Sequence, residues 1–174
     1  MNVYLLLLIA GLLITSAMLT YFICYGNIKN YMSKIEVSEK IIKDEINLKS
    51  TYIDKINNEI VKTTKKDYLE DYKSINKMNI NSIEKDDKLN EAEKIINNLK
   101  ADYEKINKNK DIKKFMSELR KSNEKLTSAK NMFNDNASIY NKLIKKFPYN
   151  IISKMINLNF KSYYNIKADG EDTF

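Results

Sequence analysis

Histidine is absent from the 174 residues. Without an imidazole there is no histidine general acid or base, no histidine metal ligand and no Ser-His-Asp arrangement. Glycine and proline are nearly absent as well, with three of the first and only Pro148 of the second. Gly11, Gly26 and Gly170 are too scattered to build a phosphate-cradling loop, and the turn-rich punctuation of a β protein is missing. The single cysteine, Cys24, excludes an intramolecular disulfide. Arg120 is the only arginine, which argues against an arginine-rich nucleic-acid surface. Abundant Lys, Asn and Ile beside one arginine reflect the codon bias of an AT-rich genome rather than a function. These absences leave an all-α chain with no expected catalytic, cofactor-binding or metal-binding residues.

Charge is missing from one end. No charged side chain occurs from Met1 to Ile28, and Val3 to Tyr25 is apolar apart from a few hydroxyls. At ~1.5 Å per residue that run makes a helix of roughly 35 Å, enough to cross a hydrocarbon core of about 30 Å. A cleavable signal peptide would need a basic start and a shorter apolar region. A lipoprotein anchor at Cys24 would need a small residue just before it, where Ile23 stands. A buried helix of a soluble protein would need more apolar surface around it than the remaining polar chain supplies. The expected organisation is a transmembrane anchor over 1–27, a helical bundle over 28–160 and a polar tail over 161–174. Lys29, Lys34, Lys40 and Lys43 follow the span, and basic flanks stay on the cytoplasmic side. The N-terminus is therefore expected outside and the bundle in the cytoplasm.

Three apolar stripes at helical spacing follow. The first holds Ile28, Tyr31, Ile35, Ile42, Ile46, Ile53, Ile56 and Ile60, with no Gly or Pro between Gly26 and Pro148 to separate it from the span. The second holds Leu89, Ala92, Ile96, Leu99, Tyr103 and Ile106. The third holds Ile112, Phe115, Leu119, Leu126, Ala129, Phe133, Tyr140, Ile144 and Phe147, with Ser122 and Asn136/Ala137 filling its gaps. Such stripes are satisfied by packing as an antiparallel bundle of three to four long helices, the span being the first segment of the longest, so that the bundle stands at a fixed angle to the membrane. Breaks are expected at 79–87 and 107–111, with 62–67 a weaker candidate. A homo-oligomeric coiled coil is the competing architecture, because spacing alone does not separate contacts within a chain from contacts between chains.

The last stripe carries a specific pattern. Ala129, Phe133-Asn134, Ala137, Tyr140-Asn141, Ile144, Phe147-Pro148 and Asn150-Ile151-Ile152 fall, without a gap, on the places of A-R-x-x-Y-N-x-x-V-x-x-Y-N-x-x-I-x-x-F-P-x-N-L-I. That pattern closes the last long helix of the LemA family, which the chain resembles. Phe115-x-x-Glu118-Leu119-x-x-Ser122-x-x-x-Leu126 is similar to the family's L-x-x-E-L-x-x-T-x-x-x-I. Nearer the span, Tyr25, Ile28, Tyr31, Ile35, Ser38 and Ile42 keep step with the family pattern, although Glu39 takes the place of its tryptophan. At 52–57, Asp54 replaces the proline of L-I-P-N-L-V. The resemblance implies a membrane-anchored helical protein and names no activity.

The motif also has direct physical readings. Phe133, Tyr140, Ile144 and Phe147 share a face and are expected to form an aromatic core. Asn134 and Asn141 lie beside it, placed to hydrogen-bond across to a partner helix. Pro148 disfavours helical geometry at Phe147 and is expected to end the helix. Beyond it, Ile151, Ile152, Met155 and Phe160 either cap the bundle end or form a sticky surface for the membrane face or a partner helix.

Carboxylate pairs such as Asp86/Asp87 and Glu91/Glu93 sit in lysine-matched runs and are expected on a solvated face. Of the net charge of +7, an excess of five comes from residues 111–150, with nine basic and four acidic groups. Lys142, Lys145 and Lys146 would there oppose the helix dipole. The expected function is a membrane-anchored scaffold or adaptor acting through lipid or an unidentified protein partner, not an enzyme and not a nucleic-acid binder. The alternative is an oligomeric membrane-tethered coiled-coil subunit of a cell-envelope complex for division or secretion.

Overall fold

A computed structural model describes residues 2–73, 75 and 80–164. Five α-helices and one short 3-10 turn appear among them, and no strand: α1 Val3–Thr64, α2 Ser82–Asp102, α3 Glu104–Lys108, α4 Lys110–Leu143 and α5 Tyr149–Met155, with the 3-10 turn at Glu70–Tyr72. The apolar run and the first stripe thus share one unbroken helix of 62 residues, as the lack of a helix breaker predicted. The described residues form two compact units, one of 2–37 with 132–163, the other drawn from 38–131 with 164.

In the first unit, every described residue of α1 up to Thr20 is exposed and burial begins only at Cys24, followed by Ile28 and Ile35. This segment is long and apolar enough to cross a membrane, with a mean hydropathy of 2.3 over its best window. Tyr21 and Tyr25 stack with ring centroids 6.0 Å apart, and Phe22 meets Tyr21 edge-on at 5.8 Å. From the other end of the chain, the last turns of α4 bury Phe133, Ala137 and Tyr140, followed by Ile144 just beyond its end, while α5 buries Ile152 and Ser153.

The second unit is a three-helix arrangement whose directions follow from its side-chain pairs. Glu45 meets Ser122 and Lys55 lies 5.7 Å from the Phe115 ring, so α1 and α4 run antiparallel. Asp86 meets Lys130 and Glu93 meets Asn123, so α2 and α4 are antiparallel too. It follows that α1 and α2 point the same way. The chain achieves this by leaving helical geometry after Thr64 and returning alongside. Tyr68 reaches Tyr103 near the end of α2 (3.2 Å between hydroxyls), Tyr72 faces Glu91 in its middle, and Asn81 caps its start.

Local chemistry explains the breaks. Lys65 adopts a left-handed conformation (φ 60°), and Thr64 turns its hydroxyl onto the Ile60 and Lys66 carbonyls. The weaker of the expected breaks, 62–67, is therefore where the longest helix ends. Asn81 Oδ1 accepts from Glu84 N–H at 2.9 Å, a capping arrangement that starts α2 inside the segment expected to be a loop. Of 79–87, Asn79 lies outside the described residues and 82–87 is helix. Asn109 caps α4 by accepting from Asp111 and Ile112 N–H, inside the expected 107–111 break.

Burial follows the three stripes with two exceptions of consequence. Tyr103 is exposed and pairs with Tyr68, the rings 6.2 Å apart, instead of entering the core. Phe147, expected in the aromatic core, is 72 % exposed. The reason is that α4 ends at Leu143, a turn before the proline, so the helical phase that would carry Phe147 inward is lost over residues 144–148.

Candidate functional site

Two places concentrate unusual chemistry, one in each unit. In the first unit, Tyr140 is fully buried and its hydroxyl donates to the Asn159 carbonyl at 3.3 Å; burial raises the pKa of that phenol. Its neighbour Asn141 uses its amide in both senses. Nδ2 donates to the Lys161 carbonyl at 2.8 Å, and Oδ1 accepts from Lys161 N–H at 2.9 Å. A side-chain amide here does what an adjacent β-strand would do, holding the extended chain after α5 against α4. The expected partner of Asn141 was another helix; the observed one is the returning backbone. Asn134 is half-buried, and Ala129 is buried in the second unit.

The turn and α5 complete this end. Pro148 precedes the first residue of α5, and Tyr149 Oη accepts from Asn27 Nδ2 at 2.9 Å. Ser153 Oγ donates to the Ile144 and Asn150 carbonyls at 3.1 and 3.0 Å, tying α5 back to the end of α4. Asn150 Oδ1 is buried without a protein partner. Ile152, placed by sequence on the candidate sticky surface, is instead 4 % exposed, because it lies on the same inward side of α5 as Ser153. The other three candidates do reach the surface: Ile151 is 50 % exposed, Met155 68 % and Phe160 58 %. Phe147 joins them there. Lys145 Nζ covers the Phe160 ring at 4.8 Å.

In the second unit the core holds charge. Lys49, only 2 % exposed, points at Asp86 (3.4 Å), Glu93 (3.5 Å) and the Asn90 side-chain carbonyl. Lys130 approaches the second oxygen of Asp86 at 2.6 Å, and Asn123 donates to both oxygens of Glu93 at 3.1 and 2.9 Å. Two cations and two carboxylates from α1, α2 and α4 therefore neutralise one another out of water. Close by in sequence, Ser122 Oγ donates to Glu45 Oε2 at 2.7 Å.

This network corrects the expectation that the carboxylate pairs are solvated: Asp87 and Glu91 are turned away from the core, but Asp86 is buried and Glu93 mostly so. The signal was present in the phase of the stripes. Lys49 falls between Ile46 and Ile53 at three and four residues, and Asp86 and Glu93 alternate with Leu89 and Ile96 at the same spacing.

No group of three or more Cys, Asp or Glu side chains suited to a metal occurs among the described residues. A shallow groove beside Glu39, Lys43, Ile83 and Tyr164 has its charges paired, Glu39 with Lys43 at 3.0 Å. The Tyr164 phenol there has a raised pKa, from burial first and the Glu39 charge second. Neither the groove nor the ion network sets a nucleophile against a base.

The family model for the LemA family matches residues 51–173, well over half of the chain. The match includes the 52–57 segment, where Asp54 stands in place of proline; burial raises the pKa of that carboxyl, with Lys73 opposing. No curated protein and no solved structure matches the chain.

Proposed function

The chain belongs to the LemA family, and we propose that it is a single-pass membrane scaffold or adaptor whose helical bundle lies on the cytoplasmic side and works through protein and lipid contacts. The observation that carries this reading is the contrast along α1. The same helix is apolar and exposed through Thr20, then carries a buried stripe that starts at Cys24 and runs on through Ile28, Ile35 and Ile42. An exposed apolar run of that length is at home in a bilayer, and the buried stripe beyond it belongs to a water-soluble bundle. The lysines just after the span support the inward orientation. Helices joined within one chain by the Lys49 network favour a bundle over a coiled coil that needs a second copy.

Fractionation and labelling test the reading. The full chain is expected to stay in the membrane pellet through an alkaline carbonate wash. A cysteine at exposed Asn98 (Asn98→Cys) should resist a membrane-impermeant maleimide in intact cells and react after permeabilisation. Release by carbonate would remove the anchor, and labelling from outside would invert the orientation. A photoreactive residue at exposed Leu48 or Ile83 should repeatedly capture the same protein; capture of none from either position would remove the adaptor role.

A further inference from the structure

We propose that α5 and the turn before it form a docking surface for the anionic headgroup region of the bilayer that α1 would cross, a proposal that rests on the anchoring just described. Three observations place it there. The first is level. Asn27, two residues beyond Tyr25, is hydrogen-bonded to Tyr149 at the start of α5, and burial on α1 begins at Cys24, within the last turn of the apolar run. The Tyr21, Phe22 and Tyr25 rings cluster at the same height, and such rings settle at the membrane–water boundary.

The second observation is shape. With Ile152 and Ser153 turned inward, α5 carries Ile151 and Met155 outward at a four-residue spacing, and exposed Phe147 precedes them by the same interval. A short helix with one apolar side against its own protein and a second apolar side open is suited to the headgroup–acyl boundary. The third is charge. The first unit contains seven lysines and only two carboxylates, Glu36 and Asp135. From Asn136 to Ala168 the chain has no acidic residue at all, while Lys145, Lys146 and Lys154 flank the exposed apolar side chains. A second copy of this face would be repelled by the same lysines. Anionic lipid is attracted to them, and each lysine near such a surface is worth roughly fivefold in partition.

The test uses the full chain, one copy per nanodisc, in phosphatidylcholine with or without phosphatidylglycerol. An environment-sensitive fluorophore is attached at Met155→Cys in a Cys24→Ser background, with Asn98→Cys as the control position. Quenching by spin-labelled lipid is expected at 155, stronger with phosphatidylglycerol and absent at 98. The triple variant K145Q/K146Q/K154Q, at exposed positions, should lose most of the increase due to phosphatidylglycerol. A water-like, unquenched probe at 155 overturns the docking. So does a probe that is shielded yet unquenched by lipid, which would mean that protein covers the patch. Co-elution of chain and disc is read in the same experiment: failure there overturns the anchor together with the docking, whereas co-elution with an unquenched probe overturns the docking alone.

Discussion

Asn141 shows how a single amide sets the course of a chain. Its two hydrogen bonds to Lys161 occupy a donor and an acceptor that would otherwise have to be satisfied by water or left unpaired. Asn141→Ala is expected to lower stability by about 1–2 kcal/mol in detergent-solubilised unfolding. Asn141→Asp should do no better, since a carboxylate accepts from the Lys161 N–H but opposes its carbonyl; wild-type stability in that variant would show that the donor half of the clamp is idle. Lys49 makes a sharper case. Buried and facing two carboxylates, it cannot be removed alone without stranding charge, so Lys49→Met should cost about 3–5 kcal/mol. Replacing Lys49, Asp86, Glu93 and Lys130 together by apolar residues of similar size should return most of that loss. If the quadruple variant is as unstable as the single one, shape at Lys49 rather than charge is what the core depends on.

Among the elements, the stretch from Lys65 to Lys73 is organised by Asp67. That carboxylate accepts from Lys73, from Asn57 Nδ2 at 3.0 Å and from Leu69 N–H at 3.0 Å. The hydrogen bond from Lys73, then those from Asn57 and Leu69, hold its pKa below the ordinary carboxylate value. A carboxylate with a lowered native pKa contributes stability that is complete above its unfolded pKa, near 4, and is lost as pH falls through the native value. Amide exchange at Leu69, measured relative to the intrinsic rate, should therefore become less protected below about pH 4, and Asp67→Asn should remove that dependence. The long helices were legible in the sequence because an apolar residue every three or four positions has one physical outcome. The exit at Lys65 was legible only as the weaker of the expected breaks, because no Gly or Pro marks it and the left-handed turn is made by a lysine. Which of Ile151, Ile152, Met155 and Phe160 caps the bundle end and which stay open was hidden too. It depends on where α4 stops, and the proline at 148 marks that stop a full turn late.

For the whole molecule, the apolar stripes of the second unit are buried within one chain. Sedimentation in detergent is expected to give one chain per particle, and a stable dimer would restore the coiled-coil alternative. The family could be read from the Tyr140-Asn141 and Phe147-Pro148 pairs, and the clamp on Asn159 and Lys161 now gives the first pair a reason that spacing alone did not supply. The bond between Asn27 and Tyr149 joins residues 122 positions apart. At about 5–20 residues per second a ribosome takes roughly 6–24 seconds to travel that distance. Through that interval Asn27 has been made and its partner Tyr149 does not yet exist. The contact beside the span is thus made late, and any chain cut short before Tyr149 lacks it, a difference open to whatever surveys newly made membrane proteins.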